Sequence, residues 1–147
     1  MTLAELEAEV KKLKQQVEEG AWAKDYLEIW KLQSLYAHLY HIGKRQEVVE
    51  LFAKKTPGVM MEIEDAGVYE GLDSISYFWN KVFDAKRMMG AGNLALHMTV
   101  NPVIEINKAR DRAKGVWHSH GYCSFVSGAT YKQFLCLGKY DMEYAKE

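Results

Sequence analysis

The sequence predicts an α+β fold, on three observations. Through about residue 83 the apolar residues recur at three- and four-residue steps, the period of a helix face. From about residue 94, three long β-type segments fill the chain, over about 94 to 106, 112 to 125 and 130 to 145. Helices therefore come first and a block of antiparallel strands follows, joined by short turns, which is the order of an α+β domain.

Each element has a local cause. Thr2 and Glu5 have the spacing of a capping box, so a helix starts beside them. Leu3, Leu6, Val10, Leu13 and Val17 then form an amphipathic seam that Gly20 interrupts. Two heptads are too few for an independent coiled coil, so the helix of residues 1–20 is expected to pack on its own domain or on a neighbouring subunit. A second helical pattern carries Leu27, Trp30, Leu35, Tyr36, Leu39 and Tyr40 up to Gly43, a natural C-terminal glycine. A third, from about Gln46 to Phe52, ends before Thr56-Pro57-Gly58. The strand-like run VMMEIE follows, Asp65-Ala66-Gly67 supplies a turn, and VYEG leads into a fourth helix bearing Ile75, Phe78, Trp79, Val82 and Phe83. The character changes after Gly90 to Gly92. The strands beyond are separated by NKARD and by a tight turn around Gly128, and the first is interrupted at Asn101-Pro102.

Composition narrows the function classes. With 147 residues the chain makes one domain. A net charge of -1 with interspersed signs offers no basic stripe for nucleic acid and no polybasic membrane patch. No run approaches the ~20 apolar residues of a membrane span, and the N-terminus lacks a signal-peptide core, so a soluble, cytoplasmic protein is expected. Cys123 and Cys136 belong to no CxxC or metal-ligand pattern and read as small buried thiols.

Strand parity places side chains on faces. In AKGVWHSHGYCSF one face carries Ala113, Gly115, Trp117, Ser119, Gly121, Cys123 and Phe125, and the other Lys114, Val116, His118, His120 and Tyr122. The first face is mostly small, which leaves a hollow if the sheet curves around the helices. A turn near residues 128 and 129 adds Phe134, Cys136, Gly138 and Tyr140 to that face. His97 and Thr99 share the inner face as well.

The runs LYAHLYHIGKRQEVVELFA, VYEGLDSISYFWNKVF, LHMTVNPVIEI and RAKGVW resemble the SnoaL-like branch of the nuclear-transport-factor-2-like superfamily, whose members include polyketide cyclases, scytalone dehydratase and bile-acid 7α-dehydratase. The resemblance covers roughly residues 20 to 146. It implies a conical fold in which a strongly bent mixed sheet wraps the N-terminal helices and encloses an apolar pocket, with the amphipathic helix of residues 1–20 as an addition to a core of residues 21–147. It also implies a dimer or trimer and no metal or organic cofactor. In the dehydratases a helix tyrosine and a strand histidine face each other across the pocket, and the matching residues are Tyr36 and His97. Five residues after the tyrosine those enzymes commonly carry an aspartate that engages the histidine, whereas this chain has His41. An acidic residue sometimes found four positions beyond the Trp of GVW is replaced by Gly121. The family's usual final strand has no counterpart beyond DMEYAKE.

Three readings of His97 are open: a packed imidazole bonded to a carbonyl, a metal ligand, or a group that takes and returns a proton near its ordinary pKa of about 6.5. We adopt the third. No Ser-His-Asp order, Walker loop or dinucleotide glycine fingerprint is present, and proton relocation remains. His118 and His120 have a metal-like HxH spacing but face away from the hollow, and His38 turns from Tyr36 into solvent. The expectation is a lyase or isomerase with Tyr36, His41 and His97 at the reacting centre, and Tyr40, Trp79, Trp117 and Ser119 lining a site for a cyclic, largely apolar molecule. The alternatives are a non-catalytic small-molecule binding module, favoured by His41 in place of the aspartate, and an association domain.

Overall fold

The computed structural model describes residues 1–63, 66–83, 94–127 and 129–147, with Phe125 and Ser127 described by backbone only. The expected break at Gly90 to Gly92, the tip of the turn at Gly128 and the Asp65 end of the earlier turn lie outside these residues.

The first element is α1 (Leu3–His41), 39 residues long and ~58 Å from end to end at the helical rise. It begins at the expected capping box: Glu5 N–H donates to Thr2 Oγ1 at 3.3 Å, and Thr2 N–H donates to the Glu5 carboxylate at 2.6 Å. The expected break at Gly20 does not occur. A glycine in a helix interior costs only about 1 kcal/mol, and nothing lies within 4 Å of where its Cβ would be to divert the chain. Residues 1–20 are exposed throughout, so the leucine and valine seam does not pack on this domain. The second half of α1 is held by Asp25, whose carboxylate accepts from Arg110 Nε at 2.6 Å and from Lys146 Nζ at 2.8 Å. Arg110, and then Lys146, hold that carboxyl down at about 2.

Then come α2 (Arg45–Val49), β1 (Met60–Ile63), β2 (Gly67–Glu70) and α3 (Gly71–Tyr77). The first three residues of VYEG, expected only as a lead-in, are strand: β1 and β2 form an antiparallel hairpin with Met61 opposite Tyr69. α3 passes into a single π turn over Phe78–Val82, in which Phe83 N–H donates to Phe78 C=O at 2.8 Å.

The main sheet has the order β3 (Leu94–Ile106), β4 (Arg112–Ser127), β5 (Thr130–Ala145). The sheet was expected to be mixed, but among the described residues every pairing is antiparallel, in three ladders that make two sheets, because β1 and β2 pair only with each other. The register follows the parity argument: Trp117 faces Tyr140, Ser119 faces Gly138, Gly121 faces Cys136 and Cys123 faces Phe134. The Asn101-Pro102 interruption is a β-bulge. Val100 pairs with His118 and Val103 with Val116, so β3 spends two residues where β4 spends one. That extra residue reverses parity. Ala95, His97 and Thr99 face inward before the bulge and Ile104 and Ile106 after it, while Val103 is 63% exposed.

Two apolar clusters result. Leu39, Tyr40, Val48, Val49, Ile75, Phe78, Trp79 and Ala95 join the end of α1 to α2, α3 and the start of β3. Ile104, Ala113, Trp117 and Tyr144 form the second, against Tyr26, Ile29 and Leu32 of α1.

Candidate active site

The first cluster carries the candidate site. Tyr36 and Tyr40 lie one helical turn apart on α1, with ring centroids 6.4 Å apart. The π turn aims Trp79 edge-on at both, at 6.2 Å and 5.8 Å. His97 reaches the same group from β3 and meets the Tyr40 ring edge-on at 5.0 Å. The structure thus brings together Tyr36, Tyr40, Trp79 and His97.

His97 lies on the inner face, opposite Gly121, and is half-buried. Burial lowers its pKa from the ordinary value, so the imidazole is neutral at pH 7. His97 makes no direct hydrogen bond to Tyr36 or His41 among the described residues. Its Nε2 lies instead 3.7 Å from Cys123 Sγ, which lies 3.5 Å from Cys136 Sγ. The Tyr36 and Tyr140 rings meet edge-on with centroids 5.9 Å apart, and each hydroxyl acts electrostatically on the other. Burial pushes the Tyr36 hydroxyl well above its ordinary pKa, and that of Tyr140 upward too, so both keep their protons at neutral pH. His41, half-buried in the last turn of α1, has no hydrogen bond or ring contact with His97 among the described residues.

The remaining predicted residues are spread along β4. Ser119 is buried beside Tyr140. Trp117 belongs to the second cluster: its Nε1–H donates to the Tyr144 hydroxyl at 2.9 Å, and that hydroxyl donates to Gln33 Oε1 at 3.0 Å. It is a wall of the fold and does not stand beside His97. His118 and His120 are exposed on the outer face, as parity predicts, and His38 is exposed on α1.

Two concavities are described, and neither is lined by Tyr36, Tyr40 or His97, where the hollow was expected. One, of about 160 Å³, lies between Asp25, Arg110, Tyr144 and Lys146. The other, of about 710 Å³, is bordered by Leu94, Leu96, Tyr122, Phe134 and Leu135. Around His97 the inner face is furnished with aromatic rings, and large residues of the π turn do the filling that small strand residues do not.

Sequence reasoning missed three participants. Tyr140 and Cys136 were assigned to the correct face but given no role, because sequence parity gives a face and not a distance. Arg45 was overlooked. It is 5% exposed, donates from Nη1 to Tyr40 C=O at 2.9 Å, and lies over the rings of Phe83, Tyr40 and Trp79 at 4.5, 5.0 and 5.6 Å.

Comparison with known proteins places this architecture. The profile of the SnoaL-like domain matches residues 22–147. No curated protein matches. Among solved structures, an NTF2-like protein with a cystatin-like fold from Novosphingobium aromaticivorans aligns over 99% of this chain and 81% of its own, at 16% identity and a TM-score of 0.61. A protein from Kribbella flavida aligns over 85% and 82%, at 17% identity and a TM-score of 0.67. A hexachlorocyclohexane dehydrochlorinase of type 2 aligns over 90% and 80%, at 17% identity and a TM-score of 0.64. At such identities the structures speak for the fold, and the profile, which spans everything beyond the first half of α1, speaks for the family. With a match over residues 22–147, the chain belongs to the SnoaL-like domain family.

Proposed function

We propose that the chain is a cofactor-independent lyase or isomerase acting by proton transfer on a cyclic, largely apolar small molecule. The observation that carries this reading is His97: a half-buried, neutral imidazole on the inner face of the sheet, set among aromatic rings with no carboxylate paired to it among the described residues. Such a group accepts a proton at neutral pH. In the step we propose, it takes one from a carbon next to a carbonyl or a leaving group, and the electron pair moves to the oxygen or expels that group. The Tyr36–Tyr140 hydroxyl pair, both protonated, supplies a hydrogen bond to the developing negative charge. His41 enters this scheme only by reaching the bound substrate directly, since it does not touch His97. Tyr40 and Trp79 form the buried apolar wall beside His97, Ser119 lies on the Tyr140 side, and Trp117 supports the wall behind. Membership in the SnoaL-like family and structural similarity to a named dehydrochlorinase support elimination or isomerisation as the reaction class.

A second reading has its own observation. Because His97 makes no direct hydrogen bond to Tyr36 or His41 among the described residues, the site also suits a binding module that has lost its acid/base set. Proton–deuteron exchange at the α-carbons of a panel of cyclic ketones, followed by NMR, separates the two. The catalytic reading expects exchange by the wild-type protein, a fall of about 10²- to 10⁴-fold in His97→Gln, and a comparable fall in Tyr36→Phe. Because burial lowers the His97 pKa, the rate should rise with pH only below about 6.5 and be flat above it. Binding of these ketones with equal exchange in wild type and His97→Gln would favour the binding module.

A further inference from the structure

We propose that His97, Cys123 and Cys136 form a binding site for a zinc ion. The three side chains come from three adjacent strands, His97 and Cys136 each opposite Gly121 and Cys123 two residues along β4. Cys123 Sγ lies 3.7 Å from His97 Nε2 and 3.5 Å from Cys136 Sγ, and all three donor atoms lie within 4.8 Å of one another. With Zn–S of ~2.3 Å and Zn–N of ~2.0–2.1 Å at tetrahedral angles, neighbouring donors sit ~3.5–3.8 Å apart. Two edges of a coordination tetrahedron are therefore already in place before any ion arrives.

Gly121 makes this possible. A Cβ there would lie 2.9 Å from Cys136 Cβ, 3.0 Å from Cys136 C=O and 3.1 Å from Leu96 C=O, and would stand between His97 and Cys136. The other use of two thiols, a disulfide, fits the ladder less well. The direct partner of Cys123 is Phe134, so Cys136 is its diagonal neighbour. Diagonal residues are ~7–8 Å apart at Cα, whereas a disulfide spans ~4.4–6.8 Å. An ion held between the two sulfurs bridges what a direct bond does not. Thiolate and imidazole together select a soft or borderline cation over magnesium or calcium. Three protein donors leave the fourth position of a tetrahedral ion to water or a ligand atom, and Phe134, 44% exposed on the same face, leaves this end of the sheet accessible.

On binding, the two S–H bonds break, two Zn–S bonds and one Zn–N bond form, and two protons pass to solvent. Burial, and then the neighbouring Cys136, push the Cys123 thiol up to about 12, so the ion must displace a firmly held proton and affinity rises with pH. The neutral His97 offers its lone pair without cost. The site itself does not depend on the reaction proposed above. One consequence does rest on that reading: an ion on Nε2 occupies the lone pair that would accept the substrate's proton, so zinc would inhibit.

Reduced, metal-free protein titrated with Zn²⁺ against a chromophoric chelator, in a non-thiol reductant, tests the proposal, with Co²⁺ as a spectroscopic probe. Expected are one ion per chain, two protons released per ion, and a thiolate-to-cobalt charge-transfer band. Cys123→Ser and Cys136→Ser should each weaken binding by more than about 100-fold, beyond the 10- to 100-fold typical of losing a supporting group. His97→Gln should weaken it while keeping the band, and His118→Gln/His120→Gln should change nothing. Co²⁺ binding without the charge-transfer band, or binding lost in the His118/His120 variant and kept in both cysteine variants, would overturn the site. The wild-type spectrum and proton count decide the question even if a cysteine variant does not fold, and they do so whether or not the chain turns over any substrate.

Discussion

Gly121 and Gly138 are both strand glycines on the inner face, yet their surroundings differ. A Cβ at Gly121 meets Cys136 at 2.9 Å and backbone oxygens at 3.0 and 3.1 Å, whereas one at Gly138 meets nothing within 4 Å. Gly121→Ala should therefore destabilise by about 1–3 kcal/mol through overpacking. Gly138→Ala should be neutral or stabilise by about 0.5–1 kcal/mol, since alanine loses less backbone entropy than glycine. Urea unfolding of the two variants measures the contrast, and equal effects would refute it. At this scale the sequence was legible where a residue's role follows from its face: His97 inward, His118 and His120 outward. It was illegible where the role depends on distance across strands. Nothing in the spacing of Cys123 and Cys136 says that their sulfurs are neighbours, because a diagonal contact requires the register of two hairpin strands and the missing side chain of Gly121 opposite Cys136.

The elements repeat this division. The three long strands and their turns were readable because alternation is a local property, and the register followed once the turn was placed. The β2 strand was not, since four residues beside a turn carry too little pattern to distinguish a strand from a helix lead-in. Gly20 misled for a different reason. A glycine ends a helix when the chain has somewhere else to go, and at Gly20 nothing lies nearby to draw it away. The β3 bulge shows how an interruption becomes a device: Asn101 takes φ 52° ahead of a proline, and the parity change keeps Ile104 and Ile106 on the core side. The left-handed conformation favours asparagine over β-branched residues. Asn101→Val should thus cost about 1–2 kcal/mol in thermal or urea unfolding while Asn101→Gly stays close to wild type. Equal losses in the two variants would show that the side chain of Asn101, and not its backbone, holds the bulge.

Over the whole molecule, the main sheet is apolar on both faces. Its outer face exposes Met98 at 38%, Tyr122 at 51%, Leu135 at 63% and Leu137 at 71%, with Leu96 beside them. Tyr122 pairs with Leu96 on one side and Leu135 on the other, and His120 with Met98 and Leu137, so these residues form one continuous patch. Exposed apolar area of this kind favours association. A homo-oligomer formed through this face is our expectation, and Leu135→Lys/Leu137→Lys should reduce it to a monomer in light scattering. An unchanged mass would move the contact elsewhere. The long first helix has a different kind of consequence. One continuous ladder of backbone bonds runs from Leu3 to His41, but only its second half is pinned, by Asp25, Gln33, Leu39 and Tyr40. Most helical stability in a protein comes from packing of an apolar face, and local opening follows the absence of buried contacts. Hydrogen exchange on the monomeric variant should therefore split a geometrically uniform helix in two: amides before Gly20 should exchange within seconds, while those around Gln33 to Tyr40 should wait for the domain to unfold. Uniform protection along all of it would mean that something covers the leucine and valine seam even in the monomer.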